Sequence, residues 1–274
     1  MNNRAGFPWR VMVGALVVAV GLHGAFLPRL GHTEELKACA LWRNHGDLTF
    51  PVEKVEYNWT CRLQEVIDGS IVSNRVGPIQ VALSESLYRY LLDHPPLAAG
   101  LITRLDLGLY QSESRGPNRF WGDDGEGTKG IVQLVYQDAT SRIYYLEGSH
   151  DSRFLPHLTG TAVVFLRMSA RKDAGGAESM DSTIVSYTNL DNRFFSGVAS
   201  LLQPLVQGIV DGKLRKAMGT VNRLGMVMRQ HPQRVLSEAT APPAFTDGDV
   251  AFLQAAIGEQ RNAGDAGRRD MPLP

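Results

Sequence analysis

The chain has 274 residues, 43% of them hydrophobic, which is enough for one domain with a sizeable core and flanking segments. Its 28 Lys and Arg residues balance its 28 Asp and Glu residues. A neutral chain with scattered aromatic residues is not typical of a nucleic-acid-binding protein, so we expect no nucleic-acid partner.

Residues 1–30 have the pattern of a membrane-directed segment. Arg4 and Arg10 precede an uncharged, mostly apolar run from Val11 to Leu27, which is at the short limit for crossing roughly 30 Å of hydrocarbon. The large ring of His23 lies where a signal-peptide cleavage site prefers small residues. The pattern favours an uncleaved transmembrane anchor; a cleaved signal of a secreted protein and a buried helix are the alternatives.

The positive residues before this run predict that the N-terminus lies in the cytoplasm. We therefore expect a single-pass protein of the cell membrane whose domain lies on the outer side, in the periplasm or its equivalent. The membrane is then one expected partner, through the N-terminal helix.

Residues 31–75 are interpreted as an N-terminal extension that packs on the main domain. Glu34–Arg43 fits a short helix, and the alternation from Trp59 to Gln64 predicts a strand. The turn signal Asp68-Gly69 would lead into a second hairpin arm at Ile71–Val76.

The chain has two cysteines, Cys39 and Cys61. In an oxidising compartment they can form one disulfide, and two unrelated buried thiols are the alternative. No spacing of Cys or His residues typical of a zinc site accompanies them, and we expect no metal and no cofactor.

At the start of the main domain the spacing of apolar residues changes from that of a strand to that of a helix. Ile79, Val81 and Leu83 alternate with small or polar residues, which predicts a half-buried strand. Ser84 stands where a helix N-cap is expected. The helix that follows should end at Pro95-Pro96, after which Leu97–Leu105 can form another.

Consecutive strands separated by turn signals are predicted from Leu109 onward. Because the connections are short, the sheet should be antiparallel. The predicted strands are Tyr110–Ser114, Arg119–Gly122, one around Ile131–Val135, Arg142–Ser149, Thr159–Ser169 and Thr183–Thr188.

A long amphipathic helix is predicted over Leu205–Met228, with a break at Pro204. Gly208, Gly212 and Gly219 form a stripe along it, which is either an exposed face or a place of close approach. Residues 237–274 are interpreted as a linker, a short helix at Val250–Ile257 and a disordered tail.

The order of strand, two helices, antiparallel strands and long helix resembles the START-like superfamily, also called helix-grip or polyketide-cyclase-like. The resemblance also rests on Asp93-His94-Pro95 between the two short helices, and it covers the domain at residues 76–236. It implies an α+β fold in which a curved antiparallel sheet wraps around the long helix and encloses an apolar cavity. The implied ligand-binding residues are Trp121, Tyr145, Val210, Leu214, Arg215, Met218 and Val221.

The densest polar cluster contains Glu147, His150, Asp151 and His157. These are types that serve as metal ligands or general bases, yet Glu147 and His150 would face opposite sides of a strand unless Gly148 bends it. Glu147, His150 and Asp151 are therefore only weak catalytic candidates, and a solvated hairpin end is favoured.

The leading functional hypothesis is a membrane-anchored START-like domain that binds a lipid or another hydrophobic small molecule non-covalently. One alternative is an enzyme of cyclase or hydrolase type on the same fold. The other is a structural envelope protein whose core is filled and has no cavity.

Overall fold

The computed structural model describes residues 39–152, 157–172, 176–191 and 199–269. The described residues belong to one compact unit that begins at Cys39. The predicted anchor at residues 1–30 lies outside them, as do residues 34–38 of the first predicted helix. Within the described ranges, no helix is both long and apolar enough to cross a membrane.

The fold is α+β and contains a seven-stranded antiparallel sheet and a long C-terminal helix. A small hairpin at residues 44–49 and a 3-10 turn at Val52–Lys54 precede the sheet. The helices are α1 (Tyr57–Asp68), α2 (Glu85–Asp93), α3 (Pro95–Arg104), α4 (Ala199–Gln230), α5 (Pro232–Thr240) and α6 (Asp247–Arg269).

The strands are β1 (Asn44–His45), β2 (Leu48–Thr49), β3 (Val72–Val81), β4 (Gln111–Ser114), β5 (Arg119–Asp123), β6 (Thr128–Gln137), β7 (Ser141–His150), β8 (Leu158–Lys172) and β9 (Glu178–Leu190). The sheet order is β3-β9-β8-β7-β6-β5-β4, so that consecutive strands from β4 to β9 are neighbours and β3 pairs with β9 at the edge opposite β4.

The predicted change from strand to helix at Ser84 is confirmed. The Ser84 hydroxyl accepts a hydrogen bond from the Leu87 amide at 3.4 Å and caps α2. Pro95 lies at the start of α3, where its missing amide hydrogen costs no hydrogen bond. The predicted strands from Tyr110 to Thr188 are confirmed as β4 to β9 within a few residues at each end.

The predicted hairpin in the N-terminal extension is wrong. Residues 57–68 form helix α1, in which Leu63 and Val66 lie three apart and are both buried. The apolar residues near Trp59 fit a strand period and a helix period equally, and burial of a helical stripe decides between them. Of the predicted second arm, Val72–Val76 lies in β3, which pairs with β9 and not with residues 57–68. The described residues of the predicted helix Glu34–Arg43 are not helical.

The extension covers what we call the outer face of the sheet. The disulfide between Cys39 and Cys61 joins its beginning to α1. His45 is buried there, stacked on Phe165 with ring centroids 3.8 Å apart, and its Nδ1 lies 3.2 Å from the Tyr187 hydroxyl. Burial lowers the pKa of His45 to about 4.

The opposite, inner face of the sheet meets α4 along the edge strand β3. The side-chain oxygen of Asn222 accepts a hydrogen bond from the Ala82 amide at 3.0 Å, and Asn74 donates one to the Gln207 carbonyl at 3.3 Å. At Gly225 the two backbones come so close that a Cβ atom would lie 2.6 Å from the Ala82 carbonyl oxygen. These contacts seat the helix on one side of the sheet.

Two predictions about the C-terminal half are wrong. Helix α4 continues through Pro204 instead of breaking there, because Pro204 lies near the helix start, where one lost hydrogen bond affects few residues. Helix α6 reaches Arg269, beyond the short helix predicted at Val250–Ile257 and into the predicted disordered tail. Helix α5, at Pro232–Thr240, was not predicted, although Pro at its first position is a start signal.

We expect Gly225→Ala to destabilise the protein by about 1–3 kcal/mol, since the added methyl group would collide with the Ala82 carbonyl. Gly212→Ala is the matched control in the same helix. Its Cβ would meet nothing within 4 Å, so the better helix propensity should stabilise by up to about 1 kcal/mol. Urea unfolding measures both, and equal effects of the two changes would contradict the seating of α4 on β3.

The lowered pKa of His45 predicts a stability loss in acid. As the pH falls from 6.5 to about 4, the unfolded chain binds a proton at this position that the folded chain does not, so stability declines through that window by about 3 kcal/mol. His45→Gln should remove this part of the decline, whereas His231→Gln, at an exposed position, should not. Parallel curves of unfolding free energy against pH for wild type and His45→Gln would refute the assignment.

Candidate functional site

A cavity of about 820 Å³ lies between the inner face of the sheet and helices α3 and α4. Because α4 is seated on β3, the middle strands β6 to β8 are left partly uncovered, and the cavity occupies that space. Its apolar wall includes Ile102, Phe120, Val132, Leu134, Leu146, Ala162, Val164, Ile209, Val210, Leu214, Ala217 and Val221. The alternative of a filled core without a cavity does not fit the described residues.

Glycines cross the sheet beside this wall. Gly122, Gly130, Gly148 and Gly160 are paired in one row across β5, β6, β7 and β8. A Cβ at Gly130 would lie 2.3 Å from the Glu147 carbonyl oxygen, so neighbouring backbones approach closely on this face. Such rows permit a sharp bend in a sheet.

Strand register decides which predicted residues face the cavity, because paired residues share a face and successive residues alternate. Leu146 pairs with Val132 and Ala162, and this row is on the inner face. Tyr145 is on the outer face, where its ring lies 5.4 Å from that of Trp59. Tyr145 therefore does not line the cavity.

The other predicted ligand residues divide into two groups. Val210, Leu214 and Val221, which the family resemblance implied as ligand-binding residues, line the cavity. Met218 is buried in the main core and Arg215 points to solvent, where it donates a hydrogen bond to Asp211 at 2.8 Å. The interpretation of these two as cavity residues is wrong.

Trp121 borders the cavity, but its side chain belongs to the opposite face. It pairs with Ile131, which in turn pairs with Glu147 of the outer face. Its neighbour Phe120, in the same row as Val132, is the aromatic residue that faces inward.

Sequence reasoning missed a cluster of ion pairs that lies at one end of the cavity. Lys213 of α4 donates hydrogen bonds to Asp124 at 2.6 Å and to Glu126 at 3.1 Å, and Lys216 contacts Glu126 as well. Burial alone would raise the pKa of Asp124, but hydrogen bonds from Lys213 and two backbone amides hold it below its usual range. The acidic residues and the basic residues of the helix could each be seen in the sequence. The sequence did not show that they contact each other in the folded protein.

A second polar cluster, also missed, lies at the other end. Arg142 is buried and donates a hydrogen bond to Asp93 at 2.7 Å. Tyr144 lies beside it on the inner face, and burial, partly opposed by the positive charge of Arg142, raises the pKa of Tyr144 to about 12. The tyrosine is therefore neutral at physiological pH.

The weak catalytic candidates are not brought together. His150 faces the cavity and its Nδ1 lies 2.9 Å from the Thr128 hydroxyl; burial and the nearby charge of Lys213 lower its pKa. Asp151 instead accepts a hydrogen bond from His157 at 2.6 Å. Glu147 is on the outer face next to Tyr145, because Gly148 leaves the register of β7 unbroken. Among the described residues no group of His, Cys, Asp and Glu could hold a metal ion.

A scan against protein-family models finds no match for the chain, and a search of curated proteins finds none. Among solved structures, a conserved protein from Geobacillus kaustophilus has 10% identity over 57% of this chain and 95% of that protein, with a TM-score of 0.40. A Thermus thermophilus protein has 13% identity, coverages of 57% and 97% and a TM-score of 0.32. A Rhizobium leguminosarum protein has 13% identity over 55% of this chain and 97% of that protein, with a TM-score of 0.30. Because these TM-scores are low, we draw no conclusion about the chain from these structures.

Lys213→Met should destabilise the protein by about 1–3 kcal/mol at pH 7, because Asp124, with a side chain 19% exposed, loses its cation. Since the pKa of Asp124 is lowered in the folded state, the loss should disappear as the pH falls through that lowered value and the carboxyl is protonated. Lys216→Met, at a more exposed ion pair, should cost less than about 1 kcal/mol. Chemical denaturation at pH 7 and in acid tests the order of the two variants.

Proposed function

We propose that this protein is a START-like, helix-grip domain that binds a lipid or another hydrophobic small molecule without covalent chemistry. The observation that supports the proposal is the apolar cavity of about 820 Å³ between α4 and the sheet. Cavities of this size accommodate drug-sized ligands, and most of the lining side chains are apolar.

The driving force is burial of the ligand's apolar surface. At about 25 cal/mol per Å², a ligand that buries about 300 Å² gains roughly 7 kcal/mol before the cost of association is subtracted. No side chain has to react, which is consistent with the separation of Glu147, His150 and Asp151 over two faces and a hairpin end.

Filling the cavity should abolish binding. In Ala217→Trp the indole would occupy space beside Leu214 and Val221, so we expect ligand retention to fall at least 10-fold. Arg215→Trp places the same side chain on the solvent side of α4 and should leave retention unchanged. Native mass spectrometry of the purified protein reads the bound mass, and near-ultraviolet circular dichroism confirms that both variants fold.

An unchanged ligand mass in folded Ala217→Trp would contradict the cavity as the binding site. If the wild type holds no hydrophobic molecule, either as purified or after incubation with lipid extract, the proposed function itself is wrong.

We further propose that residues 1–30 anchor this domain at the outer side of the cell membrane. The uncharged run from Val11 to Leu27 supports an anchor, and the disulfide between Cys39 and Cys61 is typical of an oxidising compartment.

Placing Lys at Val17 and Val18 should release the protein from the membrane fraction after carbonate extraction, because charges at the centre of a spanning segment are costly. Placing Lys at Glu34 and Glu35 instead should leave it bound. Equal extraction of wild type and the Val17 and Val18 variant would contradict anchoring.

A further inference from the structure

The charges around the cavity restrict the kind of ligand that it can hold. Six charged residues border it: Asp93, Asp123, Asp124, Lys129, Glu147 and Lys213. Asp123 and Lys129 are paired with each other across β5 and β6, one residue out of phase with the glycine row, so their side chains point to the outer face. Glu147 lies on that same face.

Each of the three remaining charged residues has an opposite charge beside it. Asp93 accepts a hydrogen bond from Arg142 at one end of the cavity. Asp124 accepts one from Lys213 at the other end, where Glu126 and Lys216 complete a group of two cations and two anions. The charged side chains at both ends of the cavity are therefore already paired with opposite charges of the protein.

Between these ends the wall offers apolar groups and uncharged polar groups only, as far as the described residues extend. At the end marked by Lys213 and Asp124, Thr128 supplies a hydroxyl group and His150 an imidazole. Thr188 of β9 and Thr220 of α4 supply two further hydroxyl groups. An ionised head group in this space would lose its hydration without gaining a counter-charge, which costs several kcal/mol. An alcohol or carbonyl group would find hydrogen-bond partners.

We infer that the ligand is an uncharged amphiphile, a long-chain or polycyclic molecule whose polar part is a hydroxyl or carbonyl group, and not a fatty-acid anion or another lipid whose charged group enters the cavity. This inference rests on the proposed function, since it concerns what the same cavity accepts.

Decanol and decanoate, offered together at equal concentration and pH 8 to the full-length protein, test the inference. They share one chain and differ in charge, so native mass spectrometry should show the decanol adduct at least 10-fold more abundant. Equal or greater decanoate binding would overturn the inference while supporting the proposed cavity. If neither decanol nor decanoate binds, the result contradicts the proposed function, on which the inference rests.

A designed charge sharpens the test. Val210→Lys would place a cation on the wall of the cavity, and we expect decanoate binding to rise at least 10-fold while decanol binding does not. Val210→Met, of similar length without charge, should keep the preference for decanol. If Val210→Lys does not fold, the wild-type competition decides the question alone; a folded Val210→Lys that still rejects decanoate would contradict the role assigned to charge.

Discussion

The seating of α4 on strand β3 is the contact on which the rest of the structure depends. Two side-chain hydrogen bonds, one joining Asn222 to Ala82 and one joining Asn74 to Gln207, fix the helix there, and Gly225 allows the backbones to meet. Among the strands, α4 packs chiefly against the edge strand β3, and the middle strands β6 to β8 face it across the cavity. The cavity is the space that this geometry leaves, and α3 and the glycine row shape its remaining walls.

The two faces of the sheet are covered differently. The outer face is filled by the disulfide-linked N-terminal extension, in which His45, Phe50 and Phe165 pack into a dense core. The inner face divides between a packed core near α2 and the cavity farther along the strands. The packed core of the extension and the cavity therefore lie on opposite faces of the same sheet.

Much of this fold could be predicted from the sequence, because turn signals and changes of period are local. Ser84, the short connections and the amphipathic α4 are examples. The failures have physical causes. Near Trp59 the apolar spacing satisfies two periods, so only tertiary burial shows that α1 is a helix. In β7 both faces are apolar, and spacing alone does not tell whether Tyr144 or Tyr145 faces inward. The helical pattern left Gly208, Gly212 and Gly219 open as an exposed face or a place of close approach. A Cβ atom at any of the three would meet nothing within 4 Å, and contact with another backbone occurs at Gly225.

The paired charges were beyond sequence reasoning for a related reason: Lys213 and Asp124 are 89 positions apart, and Arg142 and Asp93 are 49 apart. The proposed binding site is the apolar space between these pairs. A crystal of the protein under xenon pressure tests it most directly, because xenon enters apolar cavities without specific chemistry. We predict xenon between Leu146 of β7 and Leu214 of α4; direct contact of these two side chains, with no xenon bound, would contradict the account.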